Sequence, residues 1–537
     1  MSTQSRSQNV NPWIVMVVVS MGFFMTLLDT TIVNIAVPSI IDGLHASLDE
    51  ILWVLNGYTL VYAVLLITSG RLGDRIGPKP MFLAGAALFT TASVLCGLSH
   101  GPTELIAARA LQGLGGAIMA PQVLSIMMRV FPPERRGAVF GVYGALAGVA
   151  VIAGPTLGGL LVTNFGWQSV FFVNLPIGIV TILAAVLLVP NIERGERHKF
   201  DIAGVLLATA GLGGVTFGLI EGQRYSWGTV TSFITIPEVI AAGVILLLVF
   251  VIVELRRDEA LLPIALLRGR NFAGGMTIAA VMGFAMVGLF LPLAIYLQSV
   301  LGLSAIEAGL TIAPMPLVMG FLAPVAGGLS ERFGKWLLAA GMTTFAAGMA
   351  YIILTAQAGS GRWSFLPGLI LGGIGMGFTW APLGTIAMRD VPARLAGTAS
   401  GVFTTIQEFG GVLAGAAVGA VLQNQLATAL HNQAVTYSAN FPPQFRGRFV
   451  DGFSQASKGG LEAGRQTGGS VPLPAGIPAQ VVQQIQAAAA AVFQHAFVDA
   501  MRPAMMLPVI AVLLGAAVAV VVLRQSRASA AAVEVAA

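Results

Sequence analysis

Long apolar segments, separated by short polar or Pro/Gly-rich breaks, repeat along the whole chain. Most are continuous over about 18 to 25 residues, the length that an α-helix needs to cross the hydrocarbon core of a membrane. They do not alternate apolar and polar residues with period two, so strands of a membrane barrel are not indicated. The pattern predicts an all-α polytopic membrane protein, because spanning helices satisfy their own backbone in lipid.

Fourteen segments qualify as spanning helices. They cover residues 13–37, 50–69, 80–98, 103–127, 137–162, 169–189, 201–220, 233–253, 272–297, 305–326, 336–356, 364–386, 397–421 and 501–523. The first is too long for a signal peptide and carries polar residues in its second half, so we interpret it as an uncleaved span.

Composition and charge agree with this interpretation. The chain is 56% hydrophobic and 9% charged, whereas soluble domains carry about 25% charged residues. Its net charge of +5 is spread over short loops, so nucleic acid is not expected as a partner. The single cysteine, Cys96, excludes an intramolecular disulfide.

The basic residues predict the orientation. With the N-terminus inside, the cytoplasmic segments hold 20 of the 28 Lys and Arg residues. These are Arg6, Arg71, Arg75, Lys79, Arg129, Arg135, Arg136, Arg194, Arg197, Lys199, Arg256, Arg257, Arg268, Arg270, Arg332, Lys335, Arg389, Arg394, Arg524 and Arg527. The positive-inside rule then places both termini in the cytoplasm. We expect the membrane to be the inner membrane of a bacterium. One long outer segment, at about 422–500, is expected to be a loop with a surface helix, or else a lid over the substrate.

An internal repeat divides the chain. "GRLGDRIG" (70–77) and "GGLSERFG" (327–334) match at an offset of 257 residues. "FPPERRGAVFGV" (131–142) and "VPARLAGTASGV" (391–402) match at an offset of 260. We therefore expect a six-helix bundle in 1–190, two inserted helices in 191–270, and a second six-helix bundle in 271–537.

Parallel repeats in a transporter rock against each other around a site near the membrane midplane. The chain has no P-loop sequence G-x-x-x-x-G-K-[ST], so an ion gradient or the gradient of the substrate would have to drive transport. We expect no enzymatic activity, cofactor or metal. The expected partners are a small-molecule substrate, protons and the lipid bilayer, and the chain is expected to be a monomer.

Four motifs carry a family resemblance: "GRLGDRIGPK" (70–79), "LIAARALQGLGG" (105–116), "AGPTLGG" (153–159) and "LDTTIVNIAVP" (28–38). Together they resemble the signatures of the drug:proton antiporters of the major facilitator superfamily, and the predicted fourteen spans resemble its multidrug branch. The chain departs from the family pattern at Pro78, Ala150, Gln168 and Ser169. The resemblance implies a bundle of two six-helix repeats with two inserted helices, and export of amphipathic, in some cases cationic, molecules by alternating access.

Asp29 and Arg109 are charged residues inside predicted spans. Counting 1.5 Å per residue from the outer ends of their helices places Asp29 roughly 13 Å deep and Arg109 roughly 9 Å deep, so they can pair. An opposing charge stabilises the carboxylate, whereas desolvation favours its neutral form. Asp29 is therefore a candidate proton or substrate switch tuned by Arg109, with Gln112 and Asn34 nearby in the motifs; a fixed structural ion pair is the alternative.

Glu408 is a second membrane acid, roughly 17 Å from the inner end of its span at 1.5 Å per residue. No basic residue is expected at its depth, so it can bind a proton or anchor a cationic substrate. Glu221 and Glu238 lie near span ends and are expected at the membrane interface.

Two groups of residues are candidates for conformational gating. The repeated loops can latch the halves together on the inner side, and a stripe of small residues lets the fifth span approach its neighbours closely. The candidates are Gly70, Asp74, Arg75, Gly77, Glu331 and Arg332 in the loops, and Gly154, Pro155, Gly158 and Gly159 in the stripe.

Two other functions remain open from the residues alone. The chain could be a dedicated transporter of one lipid, sugar or self-made antibiotic. It could also be a membrane receptor or assembly factor that keeps the fold without transporting. Proton-dependent efflux of a dye would separate these possibilities.

Overall fold

The computed structural model describes residues 11–46, 48–132, 135–191, 201–222, 225, 227–231, 233–255, 268–392, 395–439, 441, 443–456 and 479–523. These residues are almost entirely helical, and one two-stranded hairpin is the other regular element among them. Thirteen helical segments of the described residues are long and apolar enough to cross a membrane. The predicted all-α membrane fold is therefore confirmed.

The first half of the chain is a helical bundle. Its helices are α1 (Pro12–Leu44), α2 (Leu48–Ile76), α3 (Pro78–Gly97), α4 (Pro102–Val130), α5 (Arg136–Phe165), the single turn α6 (Ser169–Phe172) and α7 (Asn174–Leu188). Proline stands in the first turn of α1, α3 and α4, where its missing N–H costs no helical hydrogen bond. Proline thus helps to set where these helices begin.

Two helices lie between the halves in the chain, α8 (Ile202–Glu221) and α9 (Ile236–Leu255). This helical pair is called the inserted hairpin. Between them lie the short antiparallel strands β1 (Thr229–Thr231) and β2 (Ile234–Thr235). The Asp201 carboxylate caps α8 by accepting a hydrogen bond from the Gly204 amide at 2.8 Å.

The second half is a second bundle. It contains α10 (Arg270–Ile295), a π-helical turn (Tyr296–Val300), α11 (Ala305–Ile312), α12 (Pro314–Thr355), a 3₁₀ turn (Arg362–Phe365), α13 (Leu366–Ala387), α14 (Ala396–Ser438), α15 (Pro443–Ala456) and α16 (Ala479–Val522). Helix α12 holds two membrane segments that meet at Gly334, whose backbone is not helical.

The two halves meet along two main helix pairs. Helix α2 packs against α14, and α5 packs against α12. Helix α2 corresponds to the first part of α12, because each ends with the repeated loop motif. Helix α5 corresponds to α14, because each begins at the second repeated motif. The two contacts are therefore equivalent in the repeat. The interface therefore has the pseudo-twofold arrangement that lets two bundles rock against each other.

The repeated loop motif has the same backbone feature in both copies. Gly77 has φ of 115° and Gly334 has φ of 35°, values that a residue with a Cβ rarely adopts. A lysine follows each turn: Lys79 donates hydrogen bonds to the carbonyls of Val186 and Val189, and Lys335 donates one to Val520. Each lysine caps the C-terminus of the last spanning helix of its half, so the basic residue that Pro78 displaces is supplied one position later.

Several helix ends differ from the sequence prediction. Helix α1 continues to Leu44, so residue 38 does not mark its outer end. Glu221 is the last residue of α8, as its expected place near a span end requires, but its side chain is buried against protein, with 2% exposed. The segment 422–500, expected to be an outer loop with a surface helix, instead begins and ends as helix, because α14 runs 43 residues and α16 runs 44.

Helix α15 and the adjoining parts of α14 and α16 form an extension of the second half. Buried apolar side chains continue the core of the second half into the extension; they are Leu426, Leu430, Ala434, Phe441, Phe449, Phe453, Ile485, Ala489, Val492, Phe493 and Phe497. The Gln433 amide donates to the Asp499 carboxylate at 2.9 Å, and the Arg502 guanidinium donates to the Ala356 carbonyl at 3.1 Å. The extension is thus packed and is attached to the second half.

Candidate functional site

Asp29 lies in the middle of α1 and is completely buried. One of its carboxylate oxygens, Oδ2, accepts a short hydrogen bond from the Arg109 guanidinium of α4. The other, Oδ1, accepts hydrogen bonds from the side-chain amides of Gln112 at 2.7 Å and Asn174 at 3.2 Å. The structure therefore brings together Asp29, Arg109 and Gln112, three of the residues that the sequence singled out.

Arg109 is 1% exposed, and its guanidinium contacts four further groups. Its Nε donates to the Val54 carbonyl of α2 at 3.2 Å, and its Nη1 donates to Gln112 Oε1 at 2.7 Å. Its carbon Cζ lies 4.3 Å from the centre of the Tyr58 ring and 5.9 Å from that of Phe171. Such contacts with aromatic faces stabilise a desolvated cation.

A second layer of polar groups surrounds this pair. The Asn174 amide also donates to Ser93 Oγ at 3.0 Å, and the Ser93 hydroxyl donates to the Phe171 carbonyl at 2.9 Å. Asp29, Arg109, Gln112, Asn174 and Tyr58 are called the Asp29 cluster below. It joins α1, α2, α4 and α7, so a change at the carboxylate reaches four helices of the first half.

The sequence reasoning missed Asn174 and Tyr58. Both are polar groups in otherwise apolar spans, and in lipid such groups face a partner or a cavity. That rule could have selected them without any structure. Their partners could not have been assigned, because the relative rotation of α2, α4 and α7 is set by packing.

The charge balance of the cluster limits what it can do. The ionised carboxylate compensates the buried guanidinium, and removing one member of a buried pair costs about 3–5 kcal/mol. Protonation of Asp29 would leave the charge of Arg109 uncompensated unless the surrounding helices rearranged. The cluster is therefore a site where a proton and a helix movement can be coupled.

Asn34 does not join the cluster. It is exposed on α1, and its amide donates to the Thr30 carbonyl of the preceding turn at 2.8 Å. Its side chain thus lies on a different part of α1 from Asp29.

Glu408 lies on α14, in the second half, and is partly exposed. Among the described residues its carboxylate has no hydrogen-bond or ion-pair partner. It lies within electrostatic range of the Tyr58 hydroxyl, across the interface between the halves. Behind Glu408, α14 approaches α10 closely at Gly283 and Gly410, where a Cβ would collide with the facing backbone. The acid of the second half therefore lies on a helix that packs against α2 and α4 of the first half.

Asp74, at the inner end of α2, connects the two halves. Its carboxylate accepts hydrogen bonds from the backbone amides of Gly397 at 2.9 Å and Thr398 at 2.7 Å. It also accepts one from the Thr398 hydroxyl at 2.8 Å, and Arg129 forms an ion pair with it at 3.0 Å. The two amides belong to the first turn of α14, where unpaired N–H groups and the helix dipole favour an anion. This contact is called the inner latch, because the sequence predicts that this side is cytoplasmic.

Close backbone contacts accompany the inner latch. A Cβ at Gly70 would collide with the Gly397 carbonyl, and one at Gly401 would lie 2.7 Å from the Leu66 carbonyl. The Ser400 hydroxyl donates to the Pro121 carbonyl of α4 at 2.9 Å. Helices α2 and α4 are thus held against α14, and the molecule is closed on this side.

The remaining loop candidates are placed differently. Arg75 and Arg332 are exposed at the ends of their helices, and the Arg332 guanidinium lies 5.3 Å from the Phe333 ring centre. The side chain of Glu331 lies outside the described part of the structure. The second copy of the motif therefore shares a glycine with positive φ with the first copy, while the side chain of its acid is not described.

The glycine stripe of α5 lies against α1. A Cβ at Gly154 would collide with Thr31, and one at Gly158 would lie 2.9 Å from Ile32. Gly159 faces the other half, since a Cβ at this position would lie 3.0 Å from the Ile306 side chain. The ring of Pro155 is not among the described side chains. The stripe thus contacts α1 within one turn of Asp29 and reaches the second half.

No group of three or more potential metal ligands occurs among the described residues. The polar side chains of the Asp29 cluster already bond one another, so the cluster has the character of an ion-pair site.

Comparison with known proteins places the chain among transporters. A family model described as Major Facilitator Superfamily matches residues 19–415. The probable actinorhodin transporter of Streptomyces coelicolor is 40% identical over 410 residues, covering 74% of this chain and 70% of that protein. The tetracenomycin C resistance and export protein of Streptomyces glaucescens is 35% identical over 423 residues, covering 77% of each chain.

A solved structure supports the same architecture. The human organic anion transporter MFSD10 (TETRAN) superimposes with a TM-score of 0.58 at 12% identity, covering 93% of this chain and 99% of that one. At this identity the similarity concerns the fold alone.

Proposed function

Because the chain belongs to the major facilitator superfamily, and is therefore a membrane transporter of small molecules rather than an enzyme, we propose that it is a proton-coupled antiporter. It exports amphipathic molecules, including cations, across the cell membrane of a bacterium, with both termini in the cytoplasm. The observation that carries this proposal is the completely buried Asp29 paired with Arg109.

The proton step would take place at the Asp29 cluster. Intramembrane carboxylates are costly and mark ion or proton pathways. Proton entry from outside would neutralise Asp29 and free Arg109 from its counter-ion, and release of that proton to the cytoplasm would restore the pair. One proton moving down 100 mV releases about 2.3 kcal/mol, so one or two protons per cycle can drive a useful drug gradient.

The cationic substrate would be held by Glu408. This carboxylate is partly exposed and has no ion-pair partner among the described residues, so a substrate cation could approach it. The second half also holds partly buried aromatic and methionine side chains, among them Phe378, Trp380 and Met286, and methionine repacks readily around different shapes. These features favour amphipathic cations.

Gating would depend on the inner latch. Hydrogen bonds to a charged group contribute about 1.5–3 kcal/mol each, and Asp74 accepts three across the interface. Asp74→Asn should therefore lower the equilibrium constant that favours the state closed on the inner side by at least about tenfold, since 1.4 kcal/mol corresponds to a factor of ten.

Accessibility of single cysteines on the inner ends of α2 and α14 measures this shift. Asp42→Asn, an exposed acid on the outer end of α1, is the control and should leave accessibility unchanged. Equal accessibility in Asp74→Asn and wild type would remove the gating role.

A dedicated export function is the second candidate. The relatives named after actinorhodin and tetracenomycin C favour a single antibiotic-like cargo over a broad range. A panel of unrelated dyes and polycyclic compounds separates the two, because a dedicated exporter would transport one chemical class.

Inverted membrane vesicles test the proposal itself. An imposed proton gradient should drive uptake of a cationic dye, and uptake should collapse when a protonophore is added. Dye movement that is insensitive to the protonophore would contradict proton coupling. Absence of flux with every compound in the panel, at normal expression, would overturn export.

A further inference from the structure

The inserted hairpin contacts both halves of the molecule. Helix α8 packs against α2 of the first half and against α14 of the second. Two side-chain contacts join α8 to the outer part of α2. The ring centres of Trp53 and Phe217 lie 6.0 Å apart, and the Asn56 amide donates to Glu221 Oε1 at 3.4 Å.

Glu221 is 2% exposed, although it occupies the last position of a spanning helix. A buried carboxylate is costly unless polar partners compensate it. Its retention in contact with Asn56 indicates a specific contact between the insert and α2 rather than a surface charge.

The same turns of α2 hold the Asp29 cluster. Val54 supplies the carbonyl that accepts from Arg109 Nε, and Tyr58 supplies the ring that faces the guanidinium. Trp53 and Asn56 are three residues apart, and Val54 and Tyr58 are four apart, so each pair shares one face of the helix. One face contacts the insert and another contacts Arg109.

We propose that the inserted hairpin positions Arg109 through α2, with Asn56 and Glu221 as the positioning residues. This inference rests on the proposed function, because it assigns the insert a role in setting the geometry of the coupling site. A rotation or shift of α2 would move both the Val54 carbonyl and the Tyr58 ring relative to Arg109. The contact with α14 would allow the insert to register the position of the other half.

Transport kinetics test the proposal with Glu221→Gln, Asn56→Ala and the double variant. Each single variant should lower the maximal rate of proton-driven efflux about three- to tenfold with the KM nearly unchanged. Glu221→Gln weakens the contact by removing the charge on the acceptor, and Asn56→Ala removes the donor. The double variant should be no slower than the slower single variant. Glu238→Gln removes an exposed acid of the same hairpin and should match wild type.

Additive rate losses in the double variant, or equal rates for Glu221→Gln and Glu238→Gln, would overturn the inference. A second measurement does not require transport. In thermal unfolding of the purified protein, the effects of Glu221→Gln and Tyr58→Leu on stability should be non-additive. The effects of Glu238→Gln and Tyr58→Leu should be additive. Additive effects in both pairs would also overturn the inference. Wild-type protein that lacks proton-driven efflux would overturn the proposed function, while the unfolding experiment would still decide the role of the insert.

Discussion

The two membrane acids, one in each half of the molecule, have opposite surroundings. Asp29 in the first half is fully buried and bonded by a guanidinium and two amides. Glu408 in the second half is partly exposed and lacks an ion-pair partner among the described residues. An acid whose charge is already compensated is suited to a switch, whereas an uncompensated and accessible acid is suited to binding a cation. The difference in surroundings therefore predicts different consequences when each acid is neutralised.

The largest effect is expected at Asp29. Asp29→Asn keeps the shape and one acceptor for Arg109 but cannot exchange a proton, so proton-driven efflux should fall by about a hundredfold or more, the scale expected when a proton-transfer group is lost. Efflux into inverted vesicles, normalised to protein amount, measures it. Asp42→Asn on the same helix is the matched control. Unchanged pumping with an unchanged dependence on pH would remove the proton role from Asp29.

A smaller and selective effect is expected at Glu408. Glu408→Gln removes the negative charge while keeping the side-chain volume. Export of a cationic substrate should fall about tenfold, as for loss of one hydrogen bond to a charged group, and export of a neutral substrate should fall by less than twofold. Parallel transport assays with one substrate of each kind give the ratio. Asp451→Asn, an exposed acid of α15, is the control. Equal losses for both substrates would assign Glu408 to coupling and remove the contrast with Asp29.

The smallest effect is expected at Asn174. Asn174→Ala removes the longest of the three hydrogen bonds to the Asp29 carboxylate, at 3.2 Å. If this bond contributes about 0.5–1 kcal/mol, the lower part of the usual range, efflux should slow about two- to fivefold. Initial rates at saturating substrate measure the change. Asn164→Ala serves as the control, because that exposed amide donates within its own helix. A rate equal to that of wild type would show that Arg109 and Gln112 suffice to hold Asp29.

Much of the fold followed from the sequence, because lipid imposes a strong length and hydropathy constraint on each span. The resemblance to the major facilitator superfamily, based on four motifs, is confirmed by the family match over residues 19–415. The extension of α14 and α16 was missed, since helix propensity in a polar segment does not show whether a helix continues out of the membrane. The functional roles given to Asp29, Glu408 and the latch residues stay predictions.

Part of the candidate site could be predicted from the sequence. The depths of Asp29 and Arg109 predicted that they could meet, and the structure places them in contact, although α1 extends beyond the residue used to count the depth of Asp29. The burial of Glu221 was not foreseen, because its partner Asn56 lies 165 positions away in the chain. Distance along a helix is fixed by its rise, whereas which faces of two helices meet depends on side chains of both.

The extension formed by α14, α15 and α16 has a practical consequence for imaging. A 55.5 kDa membrane protein with little mass outside the bilayer offers few features for aligning particle images. The 17 residues of α14 from Leu422 to Ser438 alone rise about 25 Å at 1.5 Å per residue. An antibody fragment raised against α15 would mark the second half without touching the interface, so particles could be sorted by the tilt of the first half relative to that marker.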